Sequence, residues 1–124
     1  MPIEILPDDD ILWIQISGTL TKTEAVGTQA KAADITRQRG IKKVFIDARG
    51  AEFSISTTEN FRFTASFADV FACDVRHAIV LSPGDRDHEQ IRFGEVVAAN
   101  RGVPFRMFTN AEAACRWLHG PVSI

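Results

Sequence analysis

The stretch Ile11-Leu12-Trp13-Ile14-Gln15-Ile16-Ser17-Gly18-Thr19-Leu20-Thr21-Lys22-Thr23-Glu24 holds a strand, its break and the start of a helix. Leu12, Ile14 and Ile16 fall on one face of a period-2 strand, and Trp13, Gln15 and Ser17 on the other. This pattern predicts a sheet with one fully covered face and one mixed face. Gly18 breaks the run. Thr21 and Glu24 then stand at capping-box spacing, and Ala-rich sequence follows as far as Gly40, a natural residue to close a helix in the left-handed conformation. The apolar stripe of this helix, Val26, Ala30 and Ala33, is thin and built of small side chains, so close packing on a neighbour is expected.

Outward from this stretch the same alternation repeats. Residues 2–6 form a second apolar run, separated from Ile11 by Pro7-Asp8-Asp9-Asp10, a turn composition that makes the pair an antiparallel hairpin. Downstream, Lys43 to Asp47 is a strand with Val44 and Ile46 on one face and Phe45 on the other. A loop from Ala48 to Ile55 leads into a Phe-rich helix running from near Thr57 to Ala72. His77 to Leu81 is a strand ended by Ser82-Pro83-Gly84, and Asp85 or Asp87 caps a helix that runs to Asn100 and is stopped by Arg101-Gly102. Phe105 to Phe108 is the last strand. Asn110 caps a final helix that ends at Gly120-Pro121. The order ββαβαβαβα predicts a single α/β domain over 1–124 with a mixed, mostly parallel five-stranded sheet, right-handed crossovers and one antiparallel edge.

Composition narrows the function. With 124 residues, 45% hydrophobic and 24% charged, the chain is of ordinary globular type, and its net charge of -2 with scattered basic residues excludes a nucleic-acid footprint. Met1-Pro2-Ile3-Glu4 has neither a basic nor an apolar leader pattern, and no run is long enough to span a membrane, which predicts a cytoplasmic protein. Cys73 and Cys115 lie in no metal or redox spacing and read as free thiols. The motifs of serine hydrolases, phosphate loops and dinucleotide sites are missing, and three histidines with no tyrosine leave a thin stock of general acids and bases. The expectation is a binding protein, not an enzyme, with no cofactor. In Asp85-Arg86-Asp87-His88-Glu89 the neighbours His88 and Glu89 point about 100° apart on a helix, so the segment reads as an acidic first turn and no metal site is expected.

Two segments carry the candidate site. In Phe61 to Ala72, helical geometry puts Phe63, Phe67, Val70 and Phe71 on one face and Phe61, Ala65, Ala68 and Ala72 on an adjoining one, leaving Arg62, Ser66, Asp69 and Cys73 as a narrow polar strip. So wide an apolar arc must meet more than a sheet: another helix, a ligand, a membrane or a second subunit. Phe53 and Ile55 in the preceding loop are unusually apolar for a solvated connection, and that loop emerges at the carboxyl ends of the strands, where open α/β sheets favour ligands. Phe53, Ile55, Phe61, Phe63, Phe67 and Phe71 are therefore the candidate ligand-binding residues. Ser56 and Glu59 have capping-box spacing, so the Ser56 hydroxyl can serve as a helix cap. A phosphate there would also meet N–H donors and a favourable dipole.

The element order, Gly18-Thr19-Leu20-Thr21, Asp47 closing its strand and the terminal Ala113-x-x-x-Trp117-Leu118 together resemble the SpoIIAA-like proteins over nearly the whole chain. That resemblance implies the fold of STAS domains, which include anti-sigma-factor antagonists, and of CRAL-TRIO lipid-binding domains. STAS antagonists carry a phosphorylatable serine, usually within Asp-Ser-x-Gly, at the start of the helix after the strand that Asp47 ends. Ser56 takes that place here, with Ile55 where the motif has Asp and Thr58 where it has Gly. Two roles follow as expectations. One is binding of a small apolar or lipid-like ligand, or peripheral association with a membrane surface. The other is an interaction switch that docks on a kinase or anti-sigma partner and responds to phosphorylation near Ser56. The mixed sheet face and the wide apolar arc further predict an isologous homodimer with Phe61, Phe67 or Phe71 near its centre.

Overall fold

The structure, a computed structural model, describes residues 3–8, 10–54, 56–71, 74–82 and 88–120. The hairpin pairs β1 (Ile3–Pro7) with β2 (Ile11–Ile16), Ile5 opposite Ile14, and Asp8 N–H donates to the Ile11 carbonyl across the turn at 2.9 Å. Parallel to β2 run β4 (Lys43–Asp47), β6 (Arg76–Val80) and β7 (Phe105–Phe108), giving the sheet order β1-β2-β4-β6-β7. This is the mixed α/β sheet with one antiparallel edge that the alternation of strands and helices dictates.

Two short strands were not expected. After Gly18 the chain does not simply leave the sheet: β3 (Gly18–Thr21) pairs in parallel with β5 (Ala51–Ser54), which lies in the segment read as a loop. Gly18 and Gly50 both adopt positive φ, at 74° and 86°, and turn the chain out of β2 and β4 so that it can extend again beside its neighbour. Leu20 and Ala51 are the buried residues of this ribbon. Four-residue strands paired across more than thirty positions leave no periodic trace in a sequence.

Helix α1 (Lys22–Arg39) starts at the Thr21–Glu24 capping box and closes on Gly40 in the left-handed conformation. Its buried side is Ala25, Gln29, Ala32, Ala33 and Thr36, whereas Val26 and Ala30, two thirds of the expected stripe, face solvent. A helix with so few large apolar groups is oriented by its polar ones. Gln29 donates to Ser66 Oγ at 3.1 Å, and that bond selects the buried face.

The Phe-rich segment is also divided. It forms α2 (Thr57–Ala65) and the single turn α3 (Phe67–Val70), and Phe71 is already extended. Ser66 sits at the break, where its hydroxyl donates to the Phe63 carbonyl at 2.6 Å. A serine hydroxyl that captures a backbone carbonyl and a distant glutamine competes with helix continuation, so Ser66 does not belong to a solvent strip. α4 (His88–Asn100) and α5 (Ala111–His119) complete the chain. Helices α1 to α4 cover the sheet face carrying Leu12, Ile14, Ile16 and Val44, and, among the described elements, α5 packs on the face carrying Phe45, Ala78 and Val80. The expected division into a fully covered face and a mixed face is the one the fold uses.

Candidate functional site

Phe63 of α2, Phe67 of α3 and Phe71 just after it gather over β6. Phe67 meets Phe63 edge-on at 5.2 Å, Phe71 at 5.5 Å and Phe105 edge-on at 5.6 Å between ring centres. His77 of β6 completes the cluster, 4.3 Å from Phe71 and 5.1 Å from Phe67. Strand alternation forces this placement: Ile79 faces the same layer, so His77 two residues earlier does too. His77 is 1% exposed, and neither ring nitrogen has a hydrogen-bond partner. Burial pushes its pKa down to about 3, opposed by the Val75 backbone, which lies near the ring without reaching hydrogen-bond geometry. The imidazole is therefore neutral, with one donor and one acceptor.

Between this cluster, α1 and α4 lies a cavity of about 80 Å³. It runs from Leu20 and Phe53 at the carboxyl ends of the strands to His77 and Phe105 at the amino ends. Its polar lining is Thr28, Gln29, Asn60, Thr64 and His77, and among the described residues no Lys, Arg, Asp or Glu reaches it. The roof is tightly closed on one side: a Cβ at Gly94 of α4 would stand 3.0 Å from Thr64 Oγ1, so glycine is what lets α4 approach α2.

Of the residues singled out from the sequence, Phe53, Phe63, Phe67 and Phe71 line this one cavity. Phe61 does not. It points outward and pairs with Phe93 of α4 at 6.1 Å, both rings being exposed, as is Val96 one turn further along α4. Ile55, Cys73, Asp85 and Asp87 lie outside the described residues, as does the His88 side chain. The burial of Phe67 and Phe71 removes them as centres of a subunit interface, because rings enclosed between sheet and helices have no surface to offer a second copy. Sequence reasoning missed His77 as a site residue, although its position on the Ile79 face of a wholly buried strand was the available signal.

Ser56 is exposed at the N-cap of α2. Its hydroxyl accepts from Glu59 N–H at 3.1 Å, and its own N–H donates to Glu59 Oε1 at 3.0 Å, which is the full capping box. These bonds to the Ser56 backbone and hydroxyl hold the Glu59 carboxyl below its ordinary value. Lys22 of α1 lies 3.8 Å from the other Glu59 oxygen. Asp47, at the end of β4, is likewise held low by its two-pronged bond to the Arg49 guanidinium, at 2.9 and 2.8 Å. Among the described residues no three His, Cys, Asp or Glu side chains group as metal ligands, and no helix is long and apolar enough to cross a membrane.

No protein-family model matches the sequence, and no curated protein matches it in sequence. Solved structures do match the fold. An anti-sigma factor antagonist from Mycobacterium paratuberculosis superposes with a TM-score of 0.67 at 14% identity, covering 95% of this chain and 93% of that one. The unphosphorylated form of the anti-sigma factor antagonist SpoIIAA gives 0.60 at 14% identity, over 98% and 99% of the two chains. An uncharacterised protein of the DUF3478 family from Shewanella loihica, described as having a SpoIIAA-like fold, gives 0.57 at 19% identity over 94% and 91%. Likeness of this extent runs through the whole sheet and its covering helices, and the chain accordingly has the SpoIIAA-like fold.

Proposed function

We propose that this chain is a non-enzymatic interaction module of the STAS type, which docks on a regulatory protein partner and is switched at the N-terminus of α2. The observation that carries this role is the likeness, over nearly its full length, to two anti-sigma factor antagonists, one of which, SpoIIAA, is known in both unphosphorylated and phosphorylated forms. Ser56 supports it locally. A phosphoryl group on its exposed hydroxyl would gain the dipole and free N–H groups of the helix end. It would also stand against the Glu59 carboxylate that now closes the capping box, and like charges at that distance repel. Phosphorylation would therefore open the box and release Glu59 and Lys22, changing the surface where the start of α2 meets α1. The exposed Phe61–Phe93 pair and Val96 form the apolar part of the docking face; a second copy of the chain could use the same face through Phe61. Ligand binding under α2 is a second role, supported by the cavity. Lipid-surface contact has less support, since four of the five described rings and aromatic candidates turn inward.

The test is to purify the chain from its native cells with Ser56 intact, as Ser56→Ala and as Ser56→Asp, and to map phosphopeptides. The expected result is a stoichiometric protein partner retained by Ser56→Ala and lost by Ser56→Asp, with phosphate on Ser56 in the intact chain. Indifference of every partner to both substitutions would overturn the switch.

A further inference from the structure

We propose that the cavity between the sheet and α2 is a binding site for a small, uncharged molecule with an apolar body and one hydrogen-bonding group, the latter meeting the His77 imidazole. The inference is independent of the interaction role. Size comes first. At about 80 Å³ the cavity is roughly half the ~150 Å³ apolar cavity that admits benzene, so the occupant is of five-membered-ring or short-chain dimensions, not an acyl chain. Charge comes next. Among the described residues no cationic or anionic side chain lines the space, so an ionised ligand would be buried without a counter-charge, which is strongly unfavourable.

The polar group is decided by the lining. Thr64 Oγ1 already donates to the Asn60 carbonyl at 2.8 Å, and Gln29 is engaged with Ser66. His77 is different, because it is fully buried in the cavity wall and both of its nitrogens lack partners. Buried polar groups in native proteins are almost always hydrogen-bonded, so an imidazole left open in this way points to a partner supplied from outside the chain. Water is a poor candidate. An ordered buried water needs two to four polar contacts, and apart from the Val75 backbone the groups around this imidazole are the rings of Phe67, Phe71 and Phe105. An ether, carbonyl, hydroxyl or N–H on an apolar frame satisfies the imidazole while its body rests on the phenyl rings. Phe53 and Phe63 are only partly buried and form the rim through which such a molecule enters.

Three probes of equal ring size separate the possibilities: cyclopentane with no hydrogen-bonding group, tetrahydrofuran with an acceptor and pyrrole with a donor. Each is titrated into the full chain while NMR follows the methyl groups of Ile14, Ile79 and Ile91 and the ring nitrogens of His77. The expected result is saturable binding in which tetrahydrofuran or pyrrole is about tenfold tighter than cyclopentane, as one good hydrogen bond provides, with a shift of one His77 nitrogen. In His77→Leu the preference should vanish while cyclopentane still binds. Equal affinity for all three probes, or no methyl shift up to their solubility limits, would overturn the proposal. The comparison among probes on the unaltered chain decides the matter even if His77→Leu does not fold.

Discussion

The two faces of the sheet are packed by opposite means. On one, four helical segments meet over β2, β4 and β6, the rings of Phe63, Phe67, Phe71 and Phe105 fill part of the layer, and a cavity with an unpartnered histidine remains. On the other, among the described elements, α5 lies on the strands through Ala114 and Leu118, against Ala78 and Val80, all essentially inaccessible. The buried polar group there is fully engaged. Arg76 donates to the Trp117 carbonyl at 2.7 Å and the Gly120 carbonyl at 3.1 Å, closing the end of α5, and its guanidinium lies 5.5 Å from the Trp117 ring. Along one side of α5, with Ala111 and Cys115 in its wall, the same face opens into a groove of about 530 Å³ beside Leu6, Trp13, Phe45 and the Asp47–Arg49 pair. One helix seals the strands beneath it and walls one side of the groove. Several helices cover everything and fit less closely at their meeting point.

The contrast between the two buried polar groups sets the largest expected effect. The His77 imidazole of an unfolded chain protonates below its ordinary 6.5, but the folded one does so only at about 3. Unfolding therefore takes up a proton in that window, and stability conferred by the depressed pKa is present above 6.5 and lost as pH falls towards 3. At about 1.4 kcal/mol per pH unit the loss reaches roughly 5 kcal/mol at most. Denaturant unfolding between pH 6.5 and 5, above the range in which carboxylates titrate, isolates roughly 2 kcal/mol of it. His77→Leu should flatten that slope, and an unchanged slope would show the imidazole to be hydrated.

Next is the packing itself. Phe67→Ala, at the centre of the ring cluster, should cost about 3–5 kcal/mol in urea unfolding and enlarge the cavity; a cost near 1 kcal/mol would mean that the neighbouring rings collapse into the space and that this face is the softer one. The smallest of the three effects belongs to the well-satisfied face. Arg76→Ala should cost about 1.5–3 kcal/mol, from lost charge-assisted bonds to the α5 carbonyls. Hydrogen exchange should localise that loss to α5, and protection lost equally in α2 would break the separation between the faces.

Much of this architecture was legible in the chain because it rests on neighbours in sequence. Alternation at Leu12-Trp13-Ile14-Gln15-Ile16 and at Val44-Phe45-Ile46 assigned residues to faces, and both capping boxes, Thr21–Glu24 and Ser56–Glu59, were readable as four-residue patterns. The side of α1 that is buried, the break at Ser66 and the β3–β5 ribbon were not readable. Each is settled by groups far apart in sequence: Gln29 with Ser66, and Leu20 beside Phe53. The same holds for the candidate site. That the segment from Phe61 to Phe71 was apolar over too wide an arc was visible in its residues. Only tertiary packing decided that Phe63, Phe67 and Phe71 turn inward around a cavity while Phe61 turns out to meet Phe93. Local periodicity and capping act through bonds between near neighbours and are written in the sequence. The inward or outward sense of a ring, and whether a buried imidazole finds a partner, depend on which distant surfaces the folded chain brings together.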